Sequence, residues 1–232
     1  MVTGRQASPG SPAGTDDLTI RIDGSRALTA ESVAALTELA GRAEDGNPNS
    51  FVVLRVSGAP GPRWSDDLPV DLVSKWERGL RRLERLPAAT IAVADGDCGG
   101  PALDALLVAD YRVMSAGARL VVPVVAGATW PGMALYRLAR LAAGAALARR
   151  AVLFGTPIAA AEALATGIID DVADSAALAL ERAMGVAGAT AGAELGIRRQ
   201  LMLEAMTTTF EEALGAHLAA CDRVLRIATG AG

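Results

Sequence analysis

The chain has 232 residues, about half of them apolar, and a formal net charge of −4. This length and composition allow one folded domain with a sizeable core and exclude a chain that is disordered throughout. No apolar run approaches the roughly 20 residues that span a bilayer. No basic and apolar leader of the secretory kind opens the sequence. Because aromatic residues are few and there is no basic excess, we expect neither nucleic-acid nor membrane binding.

The cysteines and the histidine restrict the chemistry further. Cys98 and Cys221 lie far apart and follow no metal-ligand spacing, so we expect reduced thiols and a cytoplasmic protein. His217 is the single histidine, which excludes a multi-histidine metal site. The sequence therefore predicts a protein that uses neither a metal nor a redox cofactor.

The predicted elements alternate between strand and helix along most of the chain. Residues 1–17 are rich in Gly, Ser, Pro and Ala and predict a disordered tail. Strands are predicted at residues 18–23, 51–56, 90–94, 111–114 and 119–122. Helices are predicted from Thr29 to Gly46, around Trp76 as far as Leu86, and at residues 102–109, 132–141, 145–153 and 159–166. We expect only helices after residue 170.

This order predicts a single α/β domain. Its core would cover residues 18–170, and a helical region of the same domain would cover residues 171–232. The last predicted helix carries an apolar stripe that includes Phe210, Leu218 and Leu225.

Residues 92–104 join a buried strand to a helix through a glycine-rich segment. The glycines Gly96, Gly99 and Gly100 allow backbone N–H groups to point at a ligand oxygen. The N-terminus of the following helix adds partial positive charge. Such a bend suits the oxyanion of a thioester enolate. The alternative is that these glycines serve only close packing.

Residues 91–110 resemble the signature of the crotonase (enoyl-CoA hydratase/isomerase) superfamily. In that signature a strand and a glycine-rich turn precede an acidic residue, and an aspartate precedes the next strand. Asp104 and Asp110 stand at those places without a gap. Residues 130–138 and 155–170 resemble later motifs of the superfamily. The resemblance extends from residue 18 to the C-terminus and implies the crotonase ββα spiral fold with a C-terminal helical region.

Residues 75–78, 96–106 and 127–138 are most similar to the small crotonase-type proteins of 3,5-dihydroxyphenylglycine pathways. Those pathways supply an amino acid of glycopeptide antibiotics. In them a type III polyketide synthase condenses malonyl-CoA, and crotonase-type partners assist dehydration and aromatisation toward 3,5-dihydroxyphenylacetyl-CoA. The resemblance implies coenzyme A as a substrate carrier, with no cofactor of the protein's own. It also implies a homotrimer or hexamer built through the C-terminal helices.

Only some of the superfamily's catalytic residues have counterparts in this chain. Asp104 stands where the first catalytic glutamate is expected, but Val124 replaces the second and cannot accept a proton. Pro101 falls at one oxyanion position and has no N–H. Gly100, with Gly99 beside it, is then the candidate donor. Candidates for the other donor are the loop residues Ser65, Asp66 and Asp67.

Two functions follow from this set. In the first, the protein is a dehydratase in which Asp104 shuttles one proton, with Asp97 or Thr129 as a helper. The alternative for Asp104 is a solvent-facing residue near a helix start. In the second function, the protein is a helper subunit without catalysis that binds and stimulates the synthase or a sister crotonase. Its contacts would come from the arginine face around Arg78 and Arg82 and from the last helix.

Overall fold

A computed structural model describes residues 18–140, 145–188 and 192–229, and the tail predicted at residues 1–17 lies outside this part of the chain. The strands are β1 Thr19–Asp23, β2 Phe51–Gly58, β3 Ala89–Gly99, β4 Tyr111–Ser115, β5 Arg119–Val121, β6 Val124–Val125, β7 Ala128–Thr129, β8 Ile158–Ala159 and β9 Asp171–Ala173. The helices are α1 Ala30–Asp45, α2 Val70–Leu83, α3 Pro101–Leu107, α4 Met133–Arg140, α5 Ala145–Phe154, α6 Ala160–Ala165, α7 Ala176–Gly188, α8 Ala193–Glu204 and α9 Phe210–Ala228.

The main sheet is parallel along the path β1-β2-β3-β4-β9. The far end of β3 pairs with β5, which in turn pairs with β8 in the antiparallel sense. The connecting helices α1, α2 and α3 pack on one face of the sheet and close the larger apolar core. Helix α7 covers part of the other face, over a smaller core. The α/β architecture predicted from the sequence is confirmed.

The alternation of side chains along β3 explains why the sheet can hold both cores. Ala92 and Ala94 point into the larger core, whereas Ile91 and Val93 point to the side of α7. Successive side chains of a strand point to opposite faces, so a strand that is covered on both sides reads as a continuous apolar run. This strand brings the glycine-rich segment to the start of α3.

Two predictions about elements were wrong. Strand β3 does not end at residue 94 but continues to Gly99, because Cys98 and Gly99 pair with β5. The bend into α3 is therefore confined to Gly100. The region after residue 170 is not all helical, because the short strand β9 adds to the edge of β4. The C-terminal helical region thus begins after this strand.

The last helices differ in how they attach to the domain. Helix α8 is anchored by Arg199, which is buried. Helix α9 has 19 residues, and none of them is buried against the described part of the chain. None of the described helices has the length and apolar character that crossing a membrane requires.

Candidate active site

Asp104 lies in α3 and turns toward the interior of the domain. Its carboxyl group faces the indole of Trp76 in α2 and the backbone N–H of Ala134 at the start of α4. Burial, assisted by the negative charge of Glu77, raises the pKa of Asp104 to about 7, although Arg137, Trp76 and Ala134 act in the opposite direction. Asp104 is half-buried, so this position is not the fully solvent-facing one of the alternative.

A group of charged side chains surrounds this carboxyl group. Arg137 donates to Glu77 through Nη2 at 3.0 Å and to Glu84 through Nε at 3.1 Å. All three side chains are mostly buried, with between 10% and 18% of their surface exposed. Burial also raises the pKa of Glu77, against the effect of Arg137. Three carboxyl groups share one guanidinium here, which favours retention of a proton within the cluster.

Three nitrogen atoms are buried without a hydrogen-bond partner among the described residues. They are Nε1 of Trp64, Nε1 of Trp76 and Nη1 of Arg137. Trp64 packs edge-on against Trp130, with ring centroids 5.1 Å apart. Buried donors without an acceptor are uncommon in proteins and call for an explanation.

The bend at Gly100 is tightly packed. Gly100 has φ +52°, and a Cβ atom there would come within 2.7 Å of the Pro60 ring. Gly24 lies so close that a Cβ atom on it would meet the Gly99 carbonyl oxygen at 2.2 Å. A Cβ atom on Gly99 would meet the Val121 carbonyl oxygen at 2.8 Å, so Gly99 and Gly100 both serve close packing. The next residue, Pro101, begins α3.

The loop between β2 and α2 contains the other candidate donors. The N–H groups of Trp64, Asp66 and Leu68 are used in turns of the loop itself. Asp67 has a positive φ of 62°, which is unusual for a residue other than glycine. For the N–H groups of Ser65 and Asp67 no acceptor is found within the described chain. Of the three candidates, these two are therefore free to donate to a ligand.

The two predicted helper residues have partners of their own. The Asp97 carboxylate accepts hydrogen bonds from Arg119, including one from Nη2 at 2.6 Å, and this lowers the pKa of Asp97. Thr129 donates from Oγ1 to the Val152 carbonyl. Val124, at the position of the absent glutamate, lies in β6 opposite Thr129, with 47% of its surface exposed.

Two clefts are present elsewhere in the described structure. One of about 520 Å³ lies between α8 and α9 and includes His217 and Cys221. The other, of about 240 Å³, lies beside the ends of β1 and β2 and includes Arg21 and Arg55. Neither contains Asp104 or another of the predicted site residues.

Comparison with known proteins places the chain in a family. The model of the family described as "Enoyl-CoA hydratase/isomerase" matches residues 70–228, more than half of the chain. The chain belongs to the enoyl-CoA hydratase/isomerase family. A relative from Amycolatopsis orientalis named "Enoyl-CoA-hydratase" is 52% identical over 210 residues, which are 90% of this chain and 96% of the relative.

Solved structures of enoyl-CoA hydratase/isomerase proteins have the same fold. The enoyl-CoA hydratase of Mycobacterium smegmatis superposes with a TM-score of 0.75 at 18% identity, over 90% of this chain and 88% of the other. A family protein from Silicibacter pomeroyi gives 0.75 at 20% identity, over 91% and 96%. The resemblance to the crotonase superfamily is thus confirmed.

Sequence reasoning missed the charged environment of the family's acidic position. Glu77 and Arg137 both lie in segments that resemble known proteins, but they are 60 residues apart in the chain. Their pairing depends on how α2 and α4 pack, which no local pattern reveals. Trp76 was assigned to a helix, and only the structure brings its indole to Asp104.

Proposed function

We propose that the protein is a dehydratase of the enoyl-CoA hydratase type, with a CoA-bound polyketide intermediate as its substrate. The intermediate would lie on the route to 3,5-dihydroxyphenylacetyl-CoA in 3,5-dihydroxyphenylglycine biosynthesis. The observation that carries the proposal is the half-buried carboxyl group of Asp104, which faces the indole of Trp76 at the position where the sequence resemblance expects an acidic residue. Burial raises its pKa to about 7. A carboxyl group with such a pKa can both accept and donate a proton near neutral pH.

One carboxylate is sufficient for the elimination of water. Ionised Asp104 takes the α-proton of a 3-hydroxyacyl thioester, and the negative charge moves to the thioester oxygen. The same proton then passes to the 3-hydroxyl group as its bond to carbon breaks and the double bond forms. Water leaves, and Asp104 is again ionised. This sequence needs no second glutamate, which suits the presence of Val124.

The thioester oxygen would be held by backbone N–H groups. The bend allows Gly100 to provide one, and the loop offers those of Ser65 and Asp67. Because Pro101 has no N–H group to contribute, this oxyanion hole would stabilise the thioester oxygen less than one with two fixed donors. A single oxyanion donor is worth about 100- to 1,000-fold in rate. We expect slow turnover for this reason.

A second candidate function rests on the packing of Pro60 against Gly100. If that ring stays in place, the thioester cannot enter the bend, and the protein would act as a helper. It would then bind and stimulate the type III polyketide synthase or a sister crotonase. The exposed apolar residues of α9 could form that contact or those of a homotrimer or hexamer.

One reconstitution separates these functions. The synthase is supplied with malonyl-CoA in the presence of the wild-type protein, of Asp104→Asn or of Asp71→Asn, and the aromatic thioester is followed by mass spectrometry. Asp71 is an exposed residue of α2 paired with Lys75, so its variant is a matched control. For a dehydratase we expect Asp104→Asn to lose at least about 100-fold of the stimulation.

The outcomes are distinct. Equal stimulation by wild type and Asp104→Asn would establish the helper and overturn the dehydratase. Stimulation only by proteins that keep Asp104, together with dehydration of 3-hydroxybutyryl-CoA by the isolated wild type, would support the dehydratase.

A further inference from the structure

The indole of Trp76 is a buried donor that the proposed proton shuttle does not use. Only 2% of Trp76 is exposed, and its Nε1 has no acceptor in hydrogen-bond geometry among the described residues. Burial of an N–H group without an acceptor is unfavourable, because the group loses its hydrogen bond to water. Phenylalanine would fill much of the same space without that cost, so packing alone does not explain an indole here.

The direction of this indole indicates what it could bind. Its N–H group faces the carboxyl group of Asp104 without completing a regular hydrogen bond to it. The charge of Arg137 also acts on this carboxyl group, and its Nη1 is buried without a partner among the described residues while Nε and Nη2 hold Glu84 and Glu77. One buried donor without a regular partner therefore faces the Asp104 carboxyl group, and a second belongs to the arginine whose charge acts on it.

A neutral oxygen atom fits this arrangement better than an anion does. Glu77 and Glu84 already balance the charge of Arg137, and a further negative ligand would be repelled by both. A hydroxyl oxygen can accept from an indole N–H and also exchange a proton with Asp104. The site offers both partners, the indole N–H group of Trp76 and the carboxyl group of Asp104.

We propose that Trp76 Nε1 forms an oxygen subsite that binds the 3-hydroxyl group of the acyl chain against Asp104. This inference rests on the proposed function, because it assigns a place to the group that leaves. The subsite consists of side chains and is separate from the backbone donors near Gly100. It selects 3-hydroxyacyl thioesters over those without the hydroxyl group.

The subsite also has a consequence for the elimination step. The indole N–H orients a lone pair of the hydroxyl oxygen, so that another lone pair meets the proton held by Asp104. As the bond from carbon to oxygen breaks, that proton moves to the oxygen and water leaves between the two side chains. Trp76 gives up no proton and acts as a substrate-positioning residue.

A binding experiment tests the subsite without requiring turnover. Asp104→Asn serves as the background, so that 3-hydroxybutyryl-CoA is not consumed. Its affinity is compared with that of butyryl-CoA by calorimetry, with Trp76 present and with Trp76→Phe. We expect a preference for the hydroxylated thioester of about three- to tenfold that disappears in Trp76→Phe, as one hydrogen bond predicts.

Trp64→Phe is the matched control, because Trp64 is another buried indole with an unpartnered Nε1. The preference should persist in this variant. An unchanged preference in Trp76→Phe, with circular dichroism like that of the parent, would overturn the inference. The inference would also be overturned if Asp104→Asn with Trp76 in place showed no preference for the hydroxylated thioester.

The two proposals can fail separately. In the wild-type background, Trp76→Phe should reduce kcat/KM for dehydration by about tenfold and leave the affinity for butyryl-CoA unchanged. Wild-type dehydration that is unaffected by Trp76→Phe would reject the subsite and keep the dehydratase. A preference that depends on Trp76, in a wild-type protein without turnover, would keep the subsite and reject the dehydratase.

Discussion

Arg199 donates to both carboxylate oxygens of Asp110, through Nε at 2.6 Å and through Nη2 at 2.6 Å. The same carboxylate accepts from the backbone and the hydroxyl group of Thr90, and Arg199 also reaches the carbonyl oxygens of Leu86 and Ala88. This network joins α8 to the ends of β3 and β4. The aspartate of the family signature is thus structural in this chain.

Removal of Arg199 should destabilise the domain strongly. Arg199→Met leaves Asp110 partly buried without its cation, and loss of one partner of a buried pair costs about 3–5 kcal/mol. Urea denaturation measures the change in the free energy of unfolding. Arg198→Met is the control, because Arg198 is exposed and pairs with Glu194 of its own helix. That variant should lose less than about 1 kcal/mol. Equal losses in the two variants would contradict the structural role of Asp110.

The pKa of Asp104 predicts how stability depends on pH. In the folded protein this pKa is about 7, against 3.8 for an ordinary aspartate. Between these values the folded state binds more protons than the unfolded state, so stability falls as pH rises. Asp104→Asn removes this dependence. As pH rises from 4 to 8, the free energy of unfolding of the variant should increase by roughly 1–4 kcal/mol relative to that of wild type.

Chemical denaturation at several pH values tests this expectation, with Asp71→Asn as the exposed control. A constant difference between wild type and Asp104→Asn across the range would show that Asp104 has an ordinary pKa.

Glu77 should set the pH at which the site becomes active. Its negative charge is, after burial, the next largest cause of the raised pKa of Asp104. Glu77→Gln should therefore lower that pKa and move the acid limb of the kcat/KM profile to lower pH. The control is Glu84→Gln, which also removes a partner of Arg137 but is not among the charges that shift the pKa of Asp104. Coincident profiles of wild type and Glu77→Gln would disprove the coupling.

Restoring an N–H group at the start of α3 should accelerate dehydration. Pro101→Ala provides an N–H group at the position where the sequence resemblance expects an oxyanion donor, and the first N–H groups of a helix have no partner within it. We expect kcat to rise by up to about 100-fold, at a cost of roughly 1 kcal/mol or less in stability. Steady-state kinetics and thermal unfolding measure the two effects. If kcat is unchanged in a folded variant, the thioester oxygen does not lie over this position.

The sequence predicted those features that follow from local pattern. The alternating strands and helices were visible in this way. The extension of β3 was not, because it depends on β5 as a partner for Cys98 and Gly99. Strand β9 was missed because it depends on pairing with β4, which lies more than 50 residues earlier in the chain. The pairing of Arg137 with Glu77 and of Arg199 with Asp110 joins distant segments, and single-sequence patterns carry no information on such contacts.

The exposure of α9 has a consequence for its dynamics. A helix without buried side chains is held mainly by its own backbone hydrogen bonds, and an isolated helix of this length is only marginally stable in water. Its amide hydrogens should therefore exchange with deuterium orders of magnitude faster than those of α1 or β3 in dilute solution. If another surface covers α9 at higher protein concentration, the exchange will slow there while that of β3 stays the same. The exchange rate of one terminal helix would thus report on assembly.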